Sequence, residues 1–339
     1  MILRPKPSIS RHATLSGACS AVSVGAVPIW LRRAIPGSQS LAGKDVEDVA
    51  LAAGAAIGAL DAMIRRQERS AGTWRQRLAL SAAAATARQA GRVEDESALR
   101  DAVLLTRPGD DVGPAGRMLL AWRRLAAMPL ERLLTEANIG AVLDDLGLAH
   151  NDEGVSDLTD DLRQLVAGEG TVGMTTGAIM LAEHHGFGRA LGAWLADALL
   201  AQQLGWTHAV PLLGTEAPLG INPRPPRRAS TVVSATGIEG GSDLTKSLLA
   251  AQARAALRAI DLSAELERRA DRMLAVAPKL RAKAADAVVD KLLSDDAIVA
   301  SEKIAGMSDR GLRRLFDRLV ELGAVRELSG RPTFRIYGL

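Results

Sequence analysis

Apolar residues recur at three- and four-residue intervals through most of this chain, and Gly, Pro and short polar runs separate the stretches that do so. That period puts one apolar stripe on a helix, so the pattern predicts a succession of helices. The segments are 46–69, 73–90, 94–105, 117–127, 130–146, 158–166, 175–184, 189–204, 245–274 and 281–293, with a short one at 301–305. The first is rich in small residues between Leu51 and Leu60, which permits close helix approach. The second carries Trp74, Leu78 and Ala82 on one stripe and closes at Gly91, a residue type that tolerates the left-handed turn at helix ends. The 245–274 helix buries Leu248, Leu249, Ala256, Leu257 and Ile260.

The period changes once, near the end. Leu312, Leu315, Phe316, Leu319, Val320 and Leu322 keep helical spacing, Ser308 stands where a cap belongs, and Gly323 where the helix should stop. Beyond it Val325 alternates with charged neighbours, Ser329-Gly330 makes a tight turn, and Phe334-Arg335-Ile336-Tyr337 alternates again. Two alternating runs around a tight turn predict a two-stranded hairpin. A capped helix running into a short basic hairpin predicts a winged helix-turn-helix. On the polar side of that helix Arg310, Arg313, Arg314 and Asp317 share a face, and a recognition helix presents such side chains to base edges in the major groove. Arg318 follows on the same helix, and the hairpin adds Arg331 and Arg335 for phosphate contact.

The expected fold is therefore mainly α, a multi-helix body with a C-terminal winged helix-turn-helix carrying a small β-hairpin. Prolines at 5, 7, 28 and 36 make residues 1–40 an arm, with Trp30-Leu31 docking on the body at 41–213. Between 214 and 243, Pro218, Pro223, Pro225 and Pro226 alternate with Arg224, Arg227 and Arg228, and a Gly-rich run, 237–241, follows. This reads as a linker or exposed loop. A long helix occupies 244–280 and the winged module 281–339.

Composition supports helices: aromatic residues are 3% against 47% apolar overall, so Ala, Leu and Val must fill the core. The net charge of +3 is small for 339 residues. Residues 301–339 hold eight basic and five acidic side chains, so this tail accounts for a surplus of three and the remainder is balanced. The single cysteine, Cys19, excludes an internal disulfide or a Cys-rich zinc site. The 13–29 segment is too interrupted by Ser, Gly and Pro to be an export signal, and no run is long and apolar enough to span a bilayer. A cytoplasmic protein without a cofactor or metal is expected.

Other candidate chemistry is weaker. Asp110 and Asp111 follow a Pro-Gly turn and suit helix capping better than acid–base work. The 168–175 run nearly fits a phosphate loop, but Met174 stands where the lysine must be. Glu183, His184 and His185 are consecutive, a spacing that does not share one helix face.

Two resemblances add to this reading. The run from Asp61-Ala-Met to Arg117-Met-Leu-Leu-Ala-Trp122, which includes Trp74-Arg-Gln-Arg-Leu-Ala-Leu80 and Leu105-Thr-Arg-Pro-Gly-Asp-Asp111, resembles the bacterial "domain of unknown function 1403" family. The closing Leu-Ser-Gly-Arg-Pro-Thr-Phe-Arg-Ile-Tyr-Gly-Leu resembles that family's ending. It implies a bacterial protein and brings no activity. Residues 175–339 also resemble the back half of Fic-domain proteins, whose His-Pro-Phe-x-(Asp/Glu)-Gly-Asn-Gly-Arg-x-x-Arg motif implies AMP transfer. Here His185-Gly186-Phe187 and Gly188-Arg189 match, the carboxylate and asparagine are absent, and Gly192 replaces the second arginine. The resemblance implies a shared fold with catalysis lost, and His185 is the one catalytic candidate. The functional expectation is a transcriptional regulator binding double-stranded DNA, as a homodimer or with a protein partner. The alternatives are a diverged nucleotidyltransferase or a helical interaction module.

Overall fold

Small side chains let the body's helices lie close together, and the computed structural model shows how they stack. It describes residues 27–35, 45–66, 68–216, 237–280, 284–329 and 333–339. The helices are α1 (Ile29–Ala34), α2 (Val46–Ile64), α3 (Ala71–Gln89), α4 (Glu96–Leu104), α5 (Gly113–Ala127), α6 (Leu130–Leu133), α7 (Glu136–Leu146), α8 (Asp152–Gly168), α9 (Thr171–His184), α10 (Gly188–Leu204), α11 (Gly237–Val276), α12 (Ala285–Ser294) and α13 (Asp309–Glu321). Three short strands complete the C-terminal end: β1 (Ile298–Val299), β2 (Arg326–Glu327) and β3 (Ile336–Gly338).

At the centre lies α3. Ala79, Ala82, Ala83, Ala84, Ala85 and Ala87 are all buried, so neighbours cover it nearly all round, and it packs on α4, α5, α11 and α12. Aromatic rings fill the larger gaps, and each indole N–H finds an acceptor, as buried tryptophans require. Trp74 donates to the Ala259 carbonyl at 2.8 Å, Trp122 to Thr86 Oγ1 at 2.9 Å, Trp194 to the Ala121 carbonyl at 3.1 Å and Trp206 to Asp61 Oδ1 at 2.8 Å. A second layer pairs α2 with α11, and α9 with α10. Asp197 on α10 is wholly buried and accepts the backbone N–H groups of Leu212, Leu213 and Gly214 at 2.8, 3.0 and 3.3 Å. It thereby shapes the 3₁₀ turn Leu213–Thr215.

Several boundaries differ from the sequence reading. The helix expected at 117–127 begins at Gly113; its cap position is Val112, without a side-chain cap bond, and Asp111 one residue earlier accepts the Gly113 N–H at 3.0 Å and pairs with Arg117. The one expected at 158–166 begins at Asp152, capped by Asn151, whose Oδ1 accepts the Gly154 N–H. The 130–146 segment is two helices, broken at Leu134-Thr135. The long helix starts at Gly237, inside the run read as flexible linker. Polar, Gly-containing first turns hide such starts from a hydrophobic period, because the first turn of a helix need not face a core. Of the N-terminal arm, 27–35 is described: Leu31 docks, Trp30 is 52% exposed, and Arg32 grips Asp261 on α11 at 2.7 Å. The Pro/Arg-rich stretch from Pro218 to Arg228 lies outside the described residues.

No helix forms at 301–305; turns connect β1 to α13. Gly306 takes a positive φ of 79°, and Lys291 Nζ holds Glu302 Oε1 at 2.6 Å, pinning the turn to α12. The sheet has three strands and not two. Its order is β1-β3-β2, all antiparallel, with Val299 opposite Ile336 and Glu327 opposite Tyr337. The sequence α12-β1-turn-α13-β2-β3 is that of a winged helix whose second helix has shrunk to turns. Among the described residues no helix is long and apolar enough to cross a membrane.

Candidate nucleic-acid interface

The exposed arginines of α13 depend first on what the helix buries. Leu312, Leu315, Phe316 and Leu319 form its inner face, each contributing on the order of 2 kcal/mol. Phe316 stacks on Tyr337 of β3, centroids 4.3 Å apart and rings within 7° of parallel, which fixes the helix against the sheet. Val320, read as part of the apolar stripe, is 41% exposed on the helix flank. Ser308 caps the start, its Oγ accepting the Gly311 N–H at 3.1 Å. Gly323 ends the helix at φ 65°, and the Ala324 N–H closes back on the Leu319 carbonyl at 2.9 Å.

With that face committed, Arg310, Arg313 and Arg314 are exposed together on the outer side, where their spacing at i, i+3 and i+4 brings the side chains alongside one another. No carboxylate of the described residues pairs with any of the three, and Arg326 on β2 is likewise exposed and unpaired. Arg326 lies opposite Gly338 on the side of the sheet away from the Tyr337–Phe316 stack, and its charge acts on Arg269 of α11, so it stands apart from the α13 arginines. The remaining predicted residues divide. Arg318 pairs with Glu321 at 2.6 Å. Arg335 sits between Asp317 at 3.3 Å and Glu327 at 3.2 Å, so part of its charge is spent on tying the wing to α13. Arg331 lies outside the described residues.

Between α13 and the wing runs a cleft of about 630 Å³, lined among others by Ser301, Arg313, Thr333, Phe334 and Arg335. Phe334 is 67% exposed and holds a positive φ of 61°, where a side chain is rarely placed. The strand alternation had put it in the sheet. Instead the left-handed backbone turns its ring outward at the wing.

The module is joined to the body through buried charge. Asp296, just before β1, has its side chain fully enclosed and accepts hydrogen bonds from Arg77 of α3 and from Arg100 of α4. Burial alone would raise its pKa; the charges of Arg77 and Arg100, and that of Arg123 nearby, outweigh burial and hold it below the ordinary carboxylate range. Thr73 Oγ1 donates to the carbonyls of Leu292 and Asp295 at 2.7 and 3.0 Å. Arg269 of α11 donates to the Leu339 carbonyl at 3.0 Å. Three body helices therefore fix where α13 points.

The other sequence candidates sit elsewhere. His185 ends α9 with Nε2 2.9 Å from Asp161 Oδ2, and its ring stacks on Phe187 at 6.2 Å. Glu183 is taken by Arg189 at 2.6 Å. The run resembling a phosphate loop is the junction between α8 and α9, not a strand-to-helix loop. Among the described residues no three His, Cys, Asp or Glu side chains converge as metal ligands. Compared with known proteins, residues 18–339 match a family model described as "Protein of unknown function (DUF1403)". Neither a curated protein nor a solved structure matches the chain.

Proposed function

The chain belongs to the DUF1403 family, and we propose that it is a sequence-specific DNA-binding regulator that lays α13 in the major groove. The observation that carries this reading is the cluster of Arg310, Arg313 and Arg314, outward-facing and without carboxylate partners on a helix whose other face is locked into a winged module. A guanidinium presents paired donors that match O6 and N7 of guanine, so arginines at this spacing read G-containing steps. Ion pairing would quench that capacity, and here three of the arginines escape it. The Phe334 edge of the wing borders the same cleft as Arg313 and suits backbone contact. Arg318 and Arg335, already paired, contribute positioning more than readout. Such a role places the protein with the genome, in the cytoplasm.

Selection of bound duplexes from a random pool tests the proposal. The wild type is expected to enrich a defined motif containing guanine. The Arg313→Ala/Arg314→Ala variant, with an unchanged circular dichroism spectrum, is expected to enrich none. A wild-type pool that stays random, or one that the variant reproduces, contradicts sequence reading by α13.

A further inference from the structure

A cavity of about 290 Å³ lies beside the first turns of α3, away from the proposed DNA-reading surface. Buried Met63, Trp74 and Val210 form apolar wall, and Arg75, His208 and Glu68 bring polar groups to it. Arg75 donates its Nε–H to the Ala126 carbonyl at 3.0 Å, and no carboxylate of the described residues pairs with its guanidinium. Burial lowers its pKa, and no neighbouring charge opposes that. Glu68 is offset by Arg66 at 3.5 Å. Burial and then the Arg75 charge lower the pKa of His208, against the opposing charge of Glu131; its Nδ1 lies 3.2 Å from Thr207 Oγ1. The cavity thus holds, in Arg75, a guanidinium with no carboxylate of the described residues at ion-pair distance, beside an indole and a thioether.

Withdrawing a guanidinium from water without a counter-ion costs free energy that a bound anion returns, and the fork geometry of arginine fits a carboxylate with two parallel hydrogen bonds. The volume stands at the small end of ligand pockets, roughly 300–1,000 Å³, which suits a metabolite and not a nucleotide. We infer that this cavity binds a small organic carboxylate, its charge on the guanidinium of Arg75 and its apolar body against Trp74 and Met63.

The position gives such a ligand something to act on. Arg75 lies between Thr73 and Arg77 in sequence, two residues from each and so on the other side of α3. Thr73 and Arg77 are the residues that hold the winged module, through Leu292, Asp295 and Asp296. A carboxylate that draws on Arg75 therefore bears on the turn that seats the module, which makes the cavity an effector site. The effect on DNA rests on the reading of α13 above; the ligand chemistry does not.

The test uses the full chain and three probes, benzoate, hexanoate and neutral benzyl alcohol, followed by calorimetric titration. Both carboxylates are expected to bind at least about tenfold more tightly than benzyl alcohol, the discrimination of a charge-assisted pair. Arg75→Gln, which keeps a donor for the Ala126 carbonyl, is expected to lose that preference, and Arg75→Lys to keep part of it. Saturating benzoate is then expected to change the affinity for a duplex selected as above by about threefold or more, an effect absent in Arg75→Gln. Carboxylates that bind no better than the alcohol, or equally well to Arg75→Gln, overturn the site, and the wild-type comparison decides this even if the variants fail to fold. Binding that leaves DNA affinity unchanged overturns the effector role. Should no duplex be selected at all, the DNA reading fails while carboxylate binding still stands or falls by itself.

Discussion

Asp197 shows how a single buried residue can set the response of the fold to pH. Its carboxylate is enclosed on α10 and meets three backbone N–H groups. Burial nevertheless pushes its pKa up to about 7. In the unfolded chain the same group titrates near 3.9. Between these values the folded protein holds a proton that the unfolded chain has released. Stability contributed by this group is therefore present below about pH 4 and lost as pH rises toward 7, by at most about 1.4 kcal/mol per unit. Urea denaturation across pH 4.5–7 should show this fall in the wild type and a flatter profile in Asp197→Asn, whatever the variant's absolute stability. Parallel profiles would refute the assignment. Residue-scale legibility was uneven. The arginine face of α13 could be read directly because 310, 313 and 314 are local in sequence. Asp296 could not, because its partners Arg77 and Arg100 lie 219 and 196 positions away, and no local period reports a contact at that range.

Among the elements, α13 was the most readable. Its cap at Ser308, its buried run from Leu312 to Leu319 and its stop at Gly323 are all chemistry within one or two turns. The error at Val320 arose because a valine at the edge of an apolar stripe has the same spacing whether it is covered or exposed. β1 was missed because two residues give no alternation to detect, and Ile298-Val299 joins the sheet only by pairing with β3. The expected helix at 301–305 gives way to a turn that Glu302 and Gly306 hold in place. The docking of α12 on α3 was also hidden, since it depends on an absent side chain. A Cβ on Gly72 would stand 2.7 Å from Ser294 Cα and 2.8 Å from its carbonyl oxygen, a clash with backbone that no rotamer relieves. Gly72→Ala should therefore lower stability by roughly 1–3 kcal/mol. Gly54→Ala, where a Cβ meets nothing within 4 Å, should gain about 0.5–1 kcal/mol from helix propensity. Thermal melts of the two variants check the contrast, and equal effects would show that α12 does not press on that turn.

At the scale of the whole molecule, a helical body and a winged module are joined by enclosed charge and not by a loose tether. Arg77 and Arg100 meet Asp296, Thr73 meets Leu292 and Asp295, and Arg269 meets Leu339. The mainly helical character was readable from composition, because a chain with so few aromatic residues must pack Ala and Leu closely. How the body orients α13 was not, since the orientation is set by contacts between distant segments. DNA reading by α13 requires that this orientation leave Arg313 and Arg314 free to enter a groove. Fluorescence anisotropy with a selected duplex at one fixed salt concentration measures this most directly. Loss of two base-reading arginines should weaken binding by about 1–3 kcal/mol each, so Arg313→Ala/Arg314→Ala should fall at least tenfold and approach its affinity for unrelated sequence. An affinity equal to that of the wild type would contradict the account.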